Sequence, residues 1–326
     1  VLEVVPPDWT RGLVRVDDGL EALQACAASV RDAFLGPVVG ITGSSGKTTT
    51  RAMVACILQE AFWVHQTDGN LNNHIGLPLT ILGAPEGAEV WVLEMGMSAS
   101  GEIDLLQRIG APTIRLITNV SLAHSEGAGG LKETAACKEE LFAGSREGDL
   151  LVVNQDDPWV RSMDIPSGAN VVRFGSTDVC DFELIDSRID SEKLCSLMRA
   201  RTPYGLLEIQ LPAPGRHIAM DALSAIAVAH VLGVEKEAVL RGLASYQPVG
   251  MRMRIQEYVG GVTLLNDAYN ANPASTQASL QTLEGIGERR RIALLGDMLE
   301  LGDFESKCHR EIVEYAQQAD IELLGF

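Results

Sequence analysis

The sequence contains no apolar run long enough to cross a bilayer, and residues 1–7 lack the basic start and long apolar stretch of a signal peptide. We therefore predict a cytoplasmic protein without membrane insertion. Basic residues are also few: 26 Lys and Arg stand against 44 Asp and Glu, for a formal net charge of −18. A surface of that charge repels polyanions, so neither nucleic acid nor anionic membrane is an expected partner.

Closely spaced cysteine pairs are absent as well. The six cysteines are scattered along the chain, mostly in apolar or helical contexts. Zinc sites and disulfide frameworks need cysteines at recurring short spacings, so we predict reduced thiols.

The length of 326 residues predicts two domains and part of a third. Residues 1–35 are interpreted as the remnant of an earlier domain and its linker, and residues 36–247 as a central domain. Within that domain, alternating strands and helices predict a mostly parallel sheet, and the short strands of 171–211 predict a small antiparallel annex. Residues 248–326 restart the alternation, which predicts a Rossmann-like α/β domain that ends before its sheet is complete.

The most informative stretch is a glycine-rich turn between a short apolar strand and a helix. It consists of Gly43, Ser44, Ser45, Gly46, Lys47, Thr48 and Thr49. Backbone N–H groups of such a loop, together with the positive end of the helix dipole, bind phosphate oxygens. Lys47 would reach the terminal phosphates, and Thr48 would offer its hydroxyl to Mg²⁺. The longer phosphate-loop pattern has a glycine where Ile41 stands, so the match is to the shorter form, and we predict nucleoside triphosphate binding.

Polar residues follow two further strands. Glu94 comes directly after the apolar residues 90–93, and Asn119 and His124 lie at and beyond the end of the stretch 113–120. Ligands of parallel sheets bind at the carboxyl ends of the strands, so Glu94 could hold Mg²⁺ beside the loop if the strands are neighbours. The alternatives are an exposed acid at a strand end and a solvated loop histidine.

Two other stretches carry further candidates. Lys138 lies in a helical stretch with an apolar side, and its charge pattern alone indicates a surface lysine paired with Glu139 or Glu140. Asn72 and Asn73 belong to a dense amide cluster ahead of a helix. Asparagines cap helices, but three within four residues exceed what a cap needs.

In the second domain, two polar turns follow strands at the expected rim of the sheet, residues 266–273 and 296–302. Arg252 lies just beyond the domain junction, where a cation could reach across to a phosphate.

These stretches occur in the order found in the Mur ligase family, which the sequence resembles. They are Thr42–Thr49, Asn70–Pro78, Glu94–Met97 with Gly101–Ile103, Asn119 with Ala123 and His124, Lys138–Glu140, Gly215–His217, Asp267–Pro273 and Gly296–Gly302.

The resemblance implies an N-terminal domain for a UDP sugar, a central ATPase domain and a C-terminal domain that closes with the amino substrate. It also implies that ATP, with Mg²⁺, phosphorylates the terminal carboxylate of UDP-N-acetylmuramoyl-tripeptide. The amine of D-alanyl-D-alanine then attacks the acyl phosphate, in peptidoglycan precursor synthesis. We expect a monomer. Because parts of the outer domains would be missing, we expect the isolated chain to bind ATP with little or no turnover.

Family position also implies roles for single residues. Thr48 and Glu94 would hold one Mg²⁺, while His124 and Lys138, the latter as a carbamate, would hold a second. The residues implied in catalysis are Lys47, His124 and Lys138. Those implied in ATP binding are residues 43–49, Asp221, Arg252 and Asn270, and those implied in substrate binding are Asn72 and Asn73.

Two positions depart from the family pattern. His74 stands where an acid is usual, and Asp221 stands where an asparagine near the adenine is usual. An aspartate at 221 would remove an amide donor to the base without affecting ATP use. Two alternatives stay open: a relative that adds amino acids to folate or cyanophycin, and a nucleotide-binding regulator without ligase activity.

Overall fold

The computed structural model describes residues 8, 10, 12–122, 129–287, 290–319 and 321–325. Up to residue 162, helices and strands alternate along the chain. They are α1 (Gly19–Ala33), β1 (Val38–Thr42), α2 (Lys47–Leu58), β2 (Val64–Gln66), α3 (Gly76–Leu82), β3 (Val90–Glu94), α4 (Glu102–Gly110), β4 (Ile114–Ile117), α5 (Leu131–Ala143), β5 (Leu150–Asn154) and α6 (Pro158–Ser162).

Four further strands and two helices complete the central part of the chain. They are β6 (Asn170–Gly175), β7 (Phe182–Asp190), β8 (Cys195–Thr202), β9 (Gly205–Leu211), α7 (Arg216–Val231) and α8 (Lys236–Ser245), with β6 extending the alternating part.

Nine strands form one sheet in the order β2-β3-β1-β4-β5-β6-β7-β8-β9. The pairs from β2 to β7 are parallel, and β7, β8 and β9 pair antiparallel. The predicted mostly parallel sheet is confirmed, and the predicted antiparallel annex is the far end of that same sheet.

Two layers of helices cover this sheet. Strands β1 and β3 are buried along their whole length, as expected for parallel strands with apolar packing on both faces. On one face Val39 and Ile41 pack with α2, α7 and α8, and on the other Val38 and Leu93 pack with apolar residues of α3, α4 and α5. The sheet is therefore a rigid base whose carboxyl edge carries the loops.

The C-terminal part of the chain forms a smaller cluster with its own apolar core. It contains β10 (Arg254–Tyr258), β11 (Val262–Asn266), α9 (Pro273–Glu284), β12 (Ile292–Leu294), a 3₁₀ turn (Gly302–Phe304), α10 (Glu305–Gln318) and β13 (Leu323–Gly325). Strands β10 and β11 form an antiparallel hairpin, and β12 pairs with β13 in parallel. Leu280, Met298 and Cys308 pack in this core.

Two expectations from composition can be compared with the fold. All six cysteines lie in the described part of the chain, and none is in a disulfide. Among the described helices, none combines the length and the apolar character that crossing a membrane requires.

Candidate functional site

A cavity of about 430 Å³ opens where the carboxyl edge of the sheet faces the C-terminal part of the chain. The glycine-rich loop, the end of β3 and the start of α7 line it from the central part, and the segment around Arg252 and the turn before α9 line it from the other side. Of the residues predicted from the sequence, it is lined by Ser44, Ser45, Gly46, Lys47, Thr48, Thr49, Asn72, Asn73, Glu94, Asp221, Arg252 and Asn270.

Neighbouring strands explain this convergence. Strand β1, which leads into the loop, pairs in parallel with both β3 and β4, and Ile41 lies opposite Glu94. The carboxyl ends of these strands therefore meet at one edge. The condition placed on Glu94, that its strand lie beside the loop, is met.

The loop needs glycine at two positions. Gly43 has φ +155°, and a Cβ there would lie 1.8 Å from the Thr118 hydroxyl oxygen. Gly46 has φ +79°, and a Cβ there would lie 2.6 Å from a carboxyl oxygen of Asp221. Any side chain at either position would collide with these neighbours, so the loop packs directly against β4 and α7.

Asn119 fixes the loop from the end of β4. Its Oδ1 accepts hydrogen bonds from the Ser45 backbone N–H at 3.0 Å and from the Ser45 hydroxyl at 3.2 Å, and its Nδ2 donates to the Ser45 carbonyl at 3.1 Å. Its carbonyl accepts from the Ser44 N–H at 3.0 Å. One asparagine therefore holds both serines of the loop in place.

The start of α2 leaves backbone donors free toward the cavity. Gly46 is the N-cap in the left-handed conformation, and no side chain of the described residues caps the helix. The first N–H groups of a helix have no partner within it, and with the helix dipole they favour an anion. The Lys47 ammonium folds back over the loop and donates to the Gly43 carbonyl at 2.7 Å. Burial lowers the pKa of Lys47, and the neighbouring Glu94 carboxylate opposes that shift.

Glu94 is a buried acid, 2% exposed, in a polar surrounding. Its Oε1 accepts from the Asn72 amide at 2.7 Å, and Arg51 Nε, on a side chain that is also buried, lies 3.5 Å from its Oε2. Within the described residues, Oε2 and Arg51 Nε have no hydrogen-bond partner. A carboxyl oxygen buried without a hydrogen-bond partner is costly, and it indicates that a further ligand belongs at this point.

The two candidate asparagines have different local tasks. Asn72 orients Glu94, whereas Asn73 Oδ1 accepts from the N–H groups of Ile75 and Gly76, at 3.1 and 2.8 Å, and so fixes the start of α3. The helix-start interpretation of the amide cluster therefore holds for Asn73. Both residues also line the cavity, as does His74. A contact of Asn72 or Asn73 with substrate stays a prediction.

Lys138 is 1% exposed, so its interpretation as a surface lysine from charge pattern is wrong. Within the described part of the chain it pairs with neither Glu139 nor Glu140. The Glu139 carboxylate accepts from the Asp164 N–H, and the Glu140 carboxylate accepts from the N–H groups of Gly101 and Asp104. Burial lowers the pKa of Lys138 well below its usual value, and the charge of Lys47 lowers it further.

The C-terminal half of the helix that carries Lys138 is held by two polar networks. Glu140 joins α5 to the start of α4, and the buried Arg115 donates to the carbonyls of Leu141 and Gly144, at 2.8 and 2.7 Å. Arg115 in turn pairs with Asp149 at 3.2 Å. Two polar networks therefore fix a helix whose lysine has no counter-ion among the described residues.

A second cavity, of about 290 Å³, continues from the first past Asp221 and His217. It is lined by the ends of β4, β5 and β6 and by α7, at residues that include Asn119, Asn154 and Phe174. Burial lowers the pKa of His217 to about 4, so this ring is neutral at pH 7. Burial also raises the pKa of Asp221 to about 8, against a smaller opposing effect of the Thr50 hydroxyl. Asp221 is therefore largely protonated at pH 7 and keeps an O–H donor where the sequence suggested that a donor was lost.

From the C-terminal side, Arg252, Asp267 and Asn270 reach the first cavity. Arg252 lies close enough to the loop that its charge lowers the pKa of both Lys47 and Arg51. The sequence expectation that a cation crosses the junction toward the loop is consistent with this position.

One predicted residue, His124, falls outside the described residues. Within the part of the chain that the structure describes, no three His, Cys, Asp or Glu side chains converge as a ready metal site. Of the metal ligands expected from the sequence, the described part of the chain contains Thr48, Glu94 and the buried Lys138.

Sequence reasoning did not assign site roles to four residues: Arg51, Asn119, His217 and Tyr269. Asn119 and His217 carried weak signals, a polar residue after a strand and a histidine after a glycine at a helix start. Gly215 has φ +126°, and a Cβ there would lie 2.5 Å from the His217 ring, so the glycine fixes where that ring lies. Tyr269 lies in the polar turn 266–273 that the sequence singled out, but its contact with Arg252 could not be predicted, and Arg51 gave no local signal, because both roles depend on contacts across the fold.

The chain is similar to known proteins over most of its length. Residues 41–229 match the family model described as Mur ligase middle domain, and residues 251–324 match the one described as Mur ligase, glutamate ligase domain. The UDP-N-acetylmuramoyl-tripeptide--D-alanyl-D-alanine ligase of Bacillus subtilis (strain 168) is 37% identical over 311 residues, 94% of this chain. The chain spans 65% of that relative's length.

Solved structures are similar over nearly the whole chain. MurF from Acinetobacter baumannii has a TM-score of 0.88 at 27% identity, over 98% of this chain and 74% of its own. The MurF ligase of Thermotoga maritima, solved in complex with ADP, has a TM-score of 0.86 at 30% identity, over 96% of this chain and 73% of its own.

The raised pKa of Asp221 predicts a pH-dependent stability. Between its ordinary pKa of 3.8 and the folded value of about 8, the folded chain holds a proton that the unfolded chain has released. The stabilisation from protonated Asp221 is therefore complete below the ordinary pKa and is lost as the pH rises through the folded pKa, by at most about 1.4 kcal/mol per pH unit. The side chain of Asp221→Asn cannot ionise, so its unfolding free energy should not show this loss. We therefore expect the difference in unfolding free energy, variant minus parent, to be larger at pH 8 than at pH 5.

Urea unfolding of this chain at several pH values measures that difference. The exposed Asp178→Asn serves as the control and should track the parent at every pH. A difference between Asp221→Asn and the parent that is the same at pH 5 and pH 8 would contradict the assignment.

Proposed function

The chain belongs to the Mur ligase family, and from that premise we propose that it carries the ATP site of a ligase joining D-alanyl-D-alanine to UDP-N-acetylmuramoyl-tripeptide. Because the chain spans less than two thirds of the Bacillus relative, the proposal concerns the reaction of the whole protein. The reaction forms a C–N bond at the expense of ATP.

The observation that carries the proposal is the cationic surrounding of the loop. Lys47 and Arg252 line one cavity, the charge of Arg252 lowers the pKa of both Lys47 and the buried Arg51, and free helix N–H groups point to the same place. A protein with a net charge of −18 gains nothing from such a cluster unless it meets an anion. The terminal phosphates of ATP supply that anion, and the related Thermotoga enzyme was solved with ADP.

The nucleoside then extends into the second cavity, past Asp221 and His217. The neutral His217 ring and the apolar wall at Phe174 favour an uncharged aromatic base over a second anion. The protonated Asp221 donates a hydrogen bond where the asparagine usual in the family would use its amide.

The residues present suit a magnesium ion between loop and sheet. Glu94 Oε2 is a buried carboxyl oxygen without a hydrogen-bond partner among the described residues, and Glu94 and the buried Thr48 line the same cavity. Hard oxygen ligands of this kind are those that Mg²⁺ prefers. When bound, Mg²⁺ would neutralise charge on the phosphates. Asn72 holds Glu94 in the orientation that this role needs.

Lys138 would serve this site as a carbamate, together with His124. A buried ammonium beside Lys47, without a counter-ion among the described residues, is unfavourable, and its lowered pKa makes the neutral amine available. The nitrogen of that amine forms a bond to the carbon of CO₂ and loses a proton, which gives an anionic group with two oxygens. Repulsion of the metal is thereby exchanged for attraction.

The reaction proceeds in two balanced steps. A carboxylate oxygen of the tripeptide forms a bond to the γ-phosphorus while the bond from that phosphorus to ADP breaks. The amine nitrogen of D-alanyl-D-alanine then attacks the carbonyl carbon, phosphate leaves with the bridging oxygen, and the amine loses a proton. Lys47, Arg252 and Asn270 would position the phosphates, and Asn72 and Asn73, which line the same cavity, would contact the acceptor.

Two alternatives are less well supported. A ligase of the folylpolyglutamate or cyanophycin type would use the same ATP site, but the relatives that cover this chain at 34–37% identity are named as D-alanyl-D-alanine ligases. If the protein were a regulator without ligase activity, the burial of Lys138 without a counter-ion among the described residues would have no explanation.

Phosphate release by the whole protein tests the proposal. We expect release from ATP only when UDP-N-acetylmuramoyl-tripeptide and D-alanyl-D-alanine are both present, since the acyl phosphate needs the first and its breakdown needs the second. Release with folate and glutamate instead, or with ATP alone at the same rate, would contradict the proposed substrates.

Lys47→Ala should weaken ATP binding about tenfold to a hundredfold, because it removes a charge-assisted contact with the phosphates. Titration of this chain with ATP and Mg²⁺ measures the effect. The control Lys193→Ala removes the same positive charge at an exposed position and should bind ATP like the parent. Equal affinities of Lys47→Ala and parent would exclude the loop as the phosphate site.

Lys138→Ala should lower turnover of the whole protein by about tenfold or more, since it removes an oxygen ligand of the metal. A short-chain carboxylic acid in the buffer should restore part of the loss by occupying the vacated space. Lys132→Ala, exposed on the same helix, is the matched control. Parent-like activity of Lys138→Ala in CO₂-depleted buffer without the acid would show that no carbamate acts here.

A further inference from the structure

We propose that Tyr269 is a positioning residue that holds the Arg252 guanidinium in front of the phosphate loop. The inference rests on the proposed function, in which Arg252 meets the phosphates of ATP, and goes beyond it by naming what fixes that cation.

The contact between the two side chains is close. The Arg252 guanidinium carbon lies 3.6 Å from the centre of the Tyr269 ring, and both residues line the first cavity. This distance is well inside the range of a cation–π contact. Among the described residues Arg252 has no hydrogen-bonded or ion-pair partner, so the ring is its main support. Tyr269 is 44% exposed, so packing of a core does not account for an aromatic residue there.

The backbone on both sides of Arg252 is held by the segment that carries the ring. The Tyr269 N–H donates to the Met251 carbonyl at 3.2 Å, and the Met253 N–H donates to Asp267 Oδ1 at 3.0 Å. The other oxygen of Asp267 accepts from the Ser279 hydroxyl on α9. Arg252 therefore lies between two residues that the same turn fixes.

Met253 adds a constraint from the central part of the chain. Its side chain is 1% exposed and packs in the core beneath α2 and α7, while its φ is +52°, in the region that residues other than glycine rarely adopt. A residue keeps such a conformation only where its surroundings impose it. The backbone thus turns sharply after Arg252, and the Arg252 side chain lines the first cavity together with the phosphate loop.

Stacking suits the task because it uses only the face of the guanidinium. The N–H groups lie at its edge and stay free to donate to two phosphate oxygens at once. An ion pair to a carboxylate would occupy those donors and cancel the charge. A ring in contact with the face restricts the arginine before ATP binds and leaves its binding edge open.

Nucleotide titrations of this chain test the inference with four variants: Tyr269→Phe, Tyr269→Leu, Arg252→Ala and the double variant Tyr269→Leu with Arg252→Ala. Tyr269→Phe keeps the ring and should bind ATP with Mg²⁺ like the parent. Tyr269→Leu should weaken ATP binding about threefold to tenfold and leave AMP binding unchanged, since AMP lacks the terminal phosphates. The double variant should bind ATP like Arg252→Ala alone, because the ring acts through the arginine.

Equal ATP affinities of Tyr269→Leu and Tyr269→Phe would overturn the inference, and so would a full additional loss in the double variant. Thermal unfolding of each variant checks the fold, and Tyr269→Gln replaces the leucine variant if that one unfolds. Failure of the proposed function looks different: Lys47→Ala and Arg252→Ala would then both bind ATP like the parent, and Arg252 would have no phosphate to meet.

Discussion

The structure depends on positive charge that is gathered at one edge of the sheet and only partly neutralised there. Lys47, Arg51 and Lys138 each have a pKa lowered mainly by burial, and Glu94 is the carboxylate whose charge opposes the shift for the first two. Burying cations without full pairing destabilises a folded protein. These cations are only partly paired although the protein as a whole is strongly acidic. Binding of a polyphosphate, and conversion of Lys138 into an anion, would both relieve this destabilisation. A bound anion would therefore be expected to stabilise the site.

Rigid surroundings make this arrangement possible. The loop touches β4 and α7 through its glycines, Asn119 holds its serines, and Arg115 and Glu140 fix the helix of Lys138. On the opposite side, Met253 and Asp267 hold the turn from which Arg252 reaches the cavity. Several polar groups near the site thus hold other polar groups in place, as Asn72 holds Glu94 and Asn119 holds Ser45. This division of tasks is what phosphoryl transfer requires, because it is catalysed by position and charge more than by covalent participation of the protein.

Local patterns predicted the parts of the site whose signal lies within a few neighbouring residues. The loop and its helix start are examples, since strand, glycines and lysine are contiguous, and Glu94 followed once the strands were taken as neighbours. Lys138 shows the limit: its charged neighbours indicated a surface lysine, whereas they bond to backbone groups of other elements and the lysine itself is buried. Arg51, opposite Glu94, and Tyr269, against Arg252, could not be found in this way, because each contact joins residues distant in the chain. The pKa of Asp221 likewise depends on burial beneath Gly46, which no sequence pattern displays.

In the proposed reaction the tripeptide carboxylate itself becomes phosphorylated, and the transfer of its oxygen to phosphate reports on that step. UDP-N-acetylmuramoyl-tripeptide labelled with ¹⁸O in both oxygens of its terminal carboxylate would be turned over by the whole protein with ATP, Mg²⁺ and D-alanyl-D-alanine. The released phosphate and the peptide product would then be analysed by mass. The account predicts one label in each phosphate and the other in the new amide, because the bridging oxygen leaves with phosphorus. Phosphate free of label, released in step with product, would contradict it.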